Sequence, residues 1–120
     1  SSNFYMCKKE SLNIIENYRN KKFGYYDNDM RLAHFYLGEI FLSEKKNNEA
    51  IFNLKESLKY SNSFKNKKMG YTVYLNFLLG KIYFYMGDKN SSKKYFKTVI
   101  RISKRKNDLN TRSREYLKNL

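Results

Sequence analysis

The feature that most constrains this sequence is a pattern that occurs twice. Leu79-Gly80 is followed three residues later by Tyr83, then by a Gly87-Asp88 turn, and then by Phe96, Val99 and Ile100 at helical spacing. Leu37-Gly38 with Phe41, followed by Asn47-Asn48-Glu49-Ala50 and Leu54, carries the same plan one unit earlier. An apolar helix, a tight polar turn and a second apolar-striped helix make an antiparallel αα-hairpin. The whole chain has no Pro and only five Gly in 120 residues. That composition fits an all-α fold, because sandwiches and barrels need many more turn residues.

Read in order, residues 4–22 predict a first helix whose inward face is Cys7, Ser11, Ile14, Ile15 and Tyr18. Residues 21–29 break the period and predict a loop with an aromatic plug, Gly24 stopping one helix and Asp27, Asn28 or Asp29 capping the next. The second helix is expected over 30–44 with Ala33, Leu37, Ile40 and Phe41 on one stripe, and the third over 48–60 with Ala50, Ile51, Leu54, Ser57 and Leu58 inward. Residues 61–68 have the composition of a loop. A fourth helix is expected over 69–86, a fifth over 89–104, and a last one capped by Asp108 or Asn110 and ending near Tyr116-Leu117. That last helix would cover the open end of the second hairpin.

A chain of this length predicts one domain, here residues 4–120, with residues 1–3 an expression remnant or a disordered start because the sequence opens Ser-Ser-Asn. No run approaches the roughly 18 to 20 apolar residues that cross a bilayer and no leader opens the chain, so a soluble, cytoplasmic protein without membrane contact is expected. The lone Cys7 excludes an internal disulfide and supplies no metal site. The net charge of +14 suggests an acidic partner or nucleic acid. Part of it has a duller source, since Phe, Tyr, Met, Ile, Asn and Lys make up 66 residues, the codon bias of an AT-rich genome. That bias does not explain the distribution: residues 1–56 hold 9 basic and 8 acidic groups, residues 57–120 hold 16 and 3.

The repeated pattern resembles the tetratricopeptide repeat family. Its small and aromatic positions are matched by Leu37, Gly38, Phe41, Ala50 and Leu54 in one repeat and by Leu79, Gly80, Tyr83, Gly87, Phe96 and Val99 in the next. Gly38 and Gly80 lie 42 residues apart, against the usual 34. The family's early Trp position holds His34 and Asn76, the small position of the second repeat holds Ser92, and the late Pro is absent. The resemblance implies an all-α array of about two and a half tetratricopeptide-like hairpins, the first helix standing as a lone half-repeat, plus a C-terminal capping helix. The long spacing and the tail are also similar to the helical C-terminal part of an uncharacterised bacterial family with a cysteine-rich, zinc-binding-like segment upstream, a segment this sequence does not contain.

By the same resemblance, a concave groove receives a protein or peptide partner, and its lining positions are Leu32, Phe35, Glu39 and Leu42, then Tyr74, Phe77, Lys81, Phe84 and Tyr85. A second surface is a basic face made by Lys93, Lys97, Arg101 and Lys104 at helical spacing, with Arg105, Lys106, Arg112 and Arg114 just beyond; it would take nucleic acid or another polyanion. Homodimerisation is the third alternative, because short arrays leave apolar ends. No enzymatic constellation and no cofactor motif is legible: His34 is the sole histidine at a packing position, Cys7 has no activating partner, the Asp27/Asp29 and Glu39/Glu44 pairs lack a catalytic setting, and the glycines are scattered. The carboxylate clamp with which some family members hold acidic chaperone tails is also missing, its positions being taken by Phe35, Glu39, Phe77 and Leu78. Titration with such a tail peptide is expected to show no binding, and a low-micromolar affinity would contradict the assignment.

Overall fold

The computed structural model of this protein describes residues 2–20, 27–61 and 70–120, with side chains from Met6 onward. The aromatic loop expected around Gly24 and nearly all of the loop expected at 61–68 lie outside those residues. The described residues form six helices: α1 (Ser2–Arg19), α2 (Asp27–Ser43), α3 (Asn47–Ser61), α4 (Gly70–Met86), α5 (Lys89–Ile102) and α6 (Asp108–Lys118). The sequence predicts one domain over 4–120; the contacts gather into two compact units, residues 1–64 and 65–120, each with three helices.

In the first unit α2 pairs with α3, and α1 packs on α2. Ile15, Met30, Ala33 and Leu37 are buried together, with Ile14, Tyr18, Phe41 and Tyr60 against them, which is the inward face expected of α1. Helix α2 begins three residues before the expected Met30. Tyr18 donates to Asp27 Oδ1 at 2.6 Å and Arg31 donates to Asn28 Oδ1 at 3.0 Å, so those side chains are engaged at the helix start. Asp27 and Asp29 there also meet the positive end of the helix dipole. The Asp27 carboxylate pushes the Tyr18 phenol up to about 12, because ionising it would lose that hydrogen bond and place two negative charges together.

Both hairpins turn in the same way. Lys46 N–H donates to Phe41 C=O at 2.8 Å and Lys45 N–H to Leu42 C=O at 3.0 Å; in the second hairpin Asp88 N–H donates to Tyr83 C=O at 3.0 Å and Gly87 N–H to Phe84 C=O at 3.2 Å. These are paired Schellman closures, and the left-handed residue each needs is Lys45 (φ 61°) in one and Gly87 (φ 85°) in the other. Asp88 then caps α5, accepting from Ser91 N–H at 3.1 Å.

The two helices of each hairpin touch at a glycine. A Cβ on Gly38 would lie 2.6 Å from Leu54 Cδ2, and a Cβ on Gly80 would lie 2.8 Å from the Phe96 ring. In the second unit this closeness lets the buried Ser92 hydroxyl donate to Gly80 C=O at 2.8 Å. Ser92 at the small position therefore keeps the helices close and satisfies its own hydroxyl. Tyr83 stacks on Tyr95 with centroids 5.8 Å apart, closing the same hairpin one turn further on.

Helix α5 ends at Ile102, two residues earlier than predicted. Ser103 leaves the helix in an extended conformation (ψ 160°), its hydroxyl donating back to Val99 C=O. The cap of α6 is Asn107, whose Oδ1 accepts Leu109 N–H at 2.8 Å, in place of the expected Asp108 or Asn110. Asp108 occupies the first turn. Asn110 is buried and bridges two elements, its Nδ2 donating to Ser103 Oγ at 3.0 Å while its Oδ1 accepts from Arg114 Nε at 2.9 Å. As expected, α6 covers the second hairpin, packing on α5 and α4. Its Tyr116 lies flat on Phe96 (4.8 Å between centroids, 9° between planes).

Gly80→Ala is expected to lower stability by about 1 to 2 kcal/mol, the overpacking of a buried ring outweighing alanine's better helix propensity. Urea denaturation of the variant against the wild type measures it; an unchanged or raised midpoint would show that the two helices can separate without penalty.

Candidate functional site

Helix α4 organises the second unit because it is apolar nearly all round, Lys81 being its one charged residue. A helix of that kind has to be covered on more than one side. Helix α5 covers one side through Phe96 and Val99, and α6 covers another through Tyr116. Between α4 and α6 an open cleft of about 370 Å³ remains, lined by Phe84 and Tyr85 from α4, by Arg112, Glu115 and Tyr116 from α6 and by its C-cap Asn119.

The cleft has an ordered aromatic wall. Phe84 meets Tyr116 edge-on at 4.9 Å and Tyr85 at 5.2 Å, while Tyr85 meets Tyr116 at 6.4 Å. The Tyr85 and Tyr116 hydroxyls are 3.3 Å apart. Burial, then the hydrogen bond with Tyr85, pushes the Tyr116 phenol above its ordinary range, so it stays protonated near neutral pH. Tyr85 nevertheless leaves 72% of its surface exposed. Arg112 supplies the charge: its guanidinium lies 4.8 Å from the Phe77 ring and 3.8 Å from the Asp108 carboxylate.

The predicted groove positions separate accordingly. Phe77 does not line a groove; it is 1% exposed, beneath Tyr116 (6.1 Å) and against Phe96 (5.8 Å), because α6 occupies the face it was expected to present. Lys81 is half-buried with its ammonium 5.7 Å from that ring. Tyr74 and Phe84 are half-buried, and Tyr85 is the exposed one. In the first unit Leu32, Phe35 and Leu42 are half-buried and Glu39 exposed, though loss of water around its carboxyl raises its pKa. The structure thus brings Phe84 and Tyr85 together with Arg112, Glu115, Tyr116 and the C-cap Asn119 of α6, a helix that the sequence predicts only as cover. A second hollow, of about 490 Å³, lies along α1 beside Met6, Lys9, Glu10, Leu12, Asn13 and Glu16.

On the basic face, Lys97 and Arg101 are exposed and Lys93 half-buried on α5, but Lys104, Arg105 and Lys106 sit in the turn after it and do not continue the helical stripe. Arg114 is taken up by Asn110 and Thr111.

His34 is 2% exposed and stacks parallel to Tyr60 at 6.2 Å. Its Nδ1 lies 2.9 Å from Asn53 Oδ1, and Asn53 spends its own Nδ2 on Glu49 C=O, so Nδ1 carries the proton and donates. Nε2 has no partner among the described residues. His34 and Asn76 occupy matching places on α2 and α4, the leading helices of the two hairpins, but Asn76 bonds back within its own helix, to Thr72 C=O at 2.9 Å, and the buried Asn110 of α6 bonds to Ser103. All three are buried polar residues. Among the described residues no three His, Cys, Asp or Glu side chains gather to hold a metal, and no helix is long and apolar enough to cross a membrane.

Comparison with protein families identifies a tetratricopeptide repeat over residues 73–106, which takes in most of α4, all of α5 and the turn that follows. The six helices of the described residues form a tetratricopeptide-like all-α helical-repeat fold, and a repeat of this kind is in general a scaffold for protein–protein interaction. No curated protein and no solved structure matches the chain.

Burial holds the His34 pKa below its ordinary 6.5, and the effect outweighs the opposing pull of the Asn53 hydrogen bond and the Glu56 charge; Arg19 adds to the lowering. The unfolded chain therefore takes up the proton first. The stabilisation is complete above about pH 6.5 and is lost as pH falls toward the lower folded value, with a slope of at most about 1.4 kcal/mol per pH unit. Urea midpoints are expected to drop between pH 7.5 and pH 5.5 for the wild type and to stay level for His34→Gln. Since the chain has one histidine, an equal drop in both would remove His34 as the cause.

Proposed function

We propose that this protein is a non-enzymatic interaction module whose partner, a peptide or an extended protein segment, lies in the cleft between α4 and α6. The main support is Tyr85: an aromatic ring mostly open to solvent, yet fixed by edge contacts to Phe84 and Tyr116 and by its hydroxyl contact. Exposed aromatics that are already held in one orientation bind with little further loss of side-chain entropy, and they recur as interface anchors. The cleft adds a cation at Arg112 and an anion at Glu115, which orient a bound backbone or polar side chain.

The ligand chemistry that fits is a segment with an aromatic or large aliphatic side chain laid against Tyr85 and Tyr116. Such binding is carried by apolar contact and persists at high salt. Phe77 supports the cleft from below and is unsuited to testing it: truncating a buried Phe costs about 3 to 5 kcal/mol of fold stability.

A random peptide library selected on the intact chain is expected to yield sequences rich in aromatic and large aliphatic residues. Tyr85→Ala should weaken the best of these by about 10- to 30-fold, the loss typical of an interface anchor, with the melting temperature little changed. Selected peptides that bind Tyr85→Ala as tightly as the wild type would show that the cleft is not the binding surface.

A further inference from the structure

We infer that the outer face of α5 and the turn after it form a second binding surface, separate from the cleft, that takes the phosphate backbone of duplex nucleic acid without reading its sequence. Between Lys89 and Asn107 the chain carries eight Lys or Arg residues and no Asp or Glu. The apolar side of α5, Ser92, Tyr95, Phe96 and Val99, is buried, so the charged side chains between its Asp88 cap and Asp108 are all cationic and stand on its outer side and the turn after it. Lys93, Lys97 and Arg101 recur every four residues, placing charges about 6 Å apart along the helix axis. Lys104 and Arg105 follow in the turn, off the helical stripe, where both are exposed.

Two observations set this face apart from the rest of the chain. The ion pairs Lys8–Glu44, Lys46–Glu44 and Arg112–Asp108 lie off it, and of its cations Lys94 leans on a ring of its own helix, 5.6 Å from the Tyr95 centroid. The first unit carries the same hairpin architecture with a nearly balanced 10 basic and 8 acidic residues over 1–64, against 15 and 3 over 65–120. The fold does not require the excess, and codon bias would act on both units alike.

The chemistry of the face selects the partner. Protein interfaces are built around buried aromatic or aliphatic anchors and are depleted in Lys, whereas this face is rich in Lys and its aromatics Tyr95 and Phe96 are turned into the core. Single strands are held by stacking bases on exposed rings, which this face lacks. An anionic bilayer gains about 1 kcal/mol per Lys or Arg near its surface and otherwise needs an inserted apolar face, and the apolar face of α5 is already committed. Duplex DNA needs none of these: it presents about one charge per 1.7 Å, and binding is driven by release of its counterions.

The test is fluorescence anisotropy of the intact chain with a labelled duplex of about 24 bp and arbitrary sequence, across about 50 to 200 mM salt. If Lys93, Lys97, Arg101, Lys104 and Arg105 each neutralise one phosphate, log Kobs against log salt has a slope near −4.5, about a 500-fold loss over that range. Lys97→Glu with Arg101→Glu should abolish most binding at the lowest salt and make the residual slope shallower by about 2. Lys9→Glu with Lys59→Glu, the same charge change on exposed residues of the first unit, should leave affinity within about threefold. Tyr85→Ala should leave duplex binding intact, so this surface and the cleft stand or fall separately. If the charge reversal unfolds the chain, Lys97→Gln with Arg101→Gln tests the same two contacts. Absence of binding at the lowest salt, equal loss in the control variant, tighter binding to polyglutamate, or tighter binding to phosphatidylserine vesicles would each overturn the assignment.

Discussion

The hairpins depend on two missing methyl groups. At Gly38 and Gly80 the facing side chain, Leu54 or Phe96, fills the space a Cβ would need. In the second unit the consequences run outward in sequence. Close approach brings the Ser92 hydroxyl to the Gly80 carbonyl and fixes the Phe96 ring against the α4 backbone. Phe96 then offers a flat face on which Tyr116 stacks, and Tyr116 positions α6. From there the contact passes to Phe84 and Tyr85. The exposed Tyr85 ring is thus held by a line of packed groups that begins at a glycine in the core.

Helix α6 is consequently more than a lid. A capping helix would satisfy the apolar side of the hairpin and present a polar outer surface. This one does so with Lys118, but it also supplies one wall of the cleft and the Arg112 guanidinium that closes over Phe77. Its own placement rests on polar groups as much as on Tyr116. Asn110 ties the end of α5 to α6 through Ser103 and in turn holds Arg114. Buried polar links of this kind are costly when half-made and directional when complete, which suits a helix that has to present one face in one register.

How much of this fold and site is legible in the sequence depends on how local each signal is. The hairpins, the glycine contacts and the Gly87-Asp88 turn each rest on short motifs at fixed helical offsets, and all can be read from the residues alone. Boundaries set by side chains reaching back cannot: Tyr18 meeting Asp27 at the start of α2 and Ser103 ending α5 depend on which of several competent residues is used. The fate of Phe77 is the least legible, since Phe77 and Tyr85 both look like groove residues on an isolated α4. A usable signal exists in α4 itself. With one charged residue in the helix, most of its circumference has to be buried, and one partner helix cannot do that. The tail then has to fold over α4, taking Phe77 into the core and creating the α4–α6 cleft.

The two units also act as mutual controls on what the fold requires. Each has a hairpin whose leading helix, α2 or α4, is closed by a Schellman turn and carries a glycine against a large apolar side chain and a polar residue where the family carries Trp. One achieves the left-handed turn residue with Lys45, the other with Gly87, so even that position tolerates a side chain at a cost of about 1 to 2 kcal/mol. What the units do not share is charge. Since the balanced unit builds the same hairpin, an excess of cations is not something the architecture requires; Lys94 leans on the Tyr95 ring, but the mutual repulsion of the row opposes compaction. A feature that the fold does not require, concentrated on one exposed face, is explained more economically by what that face meets than by how the chain folds.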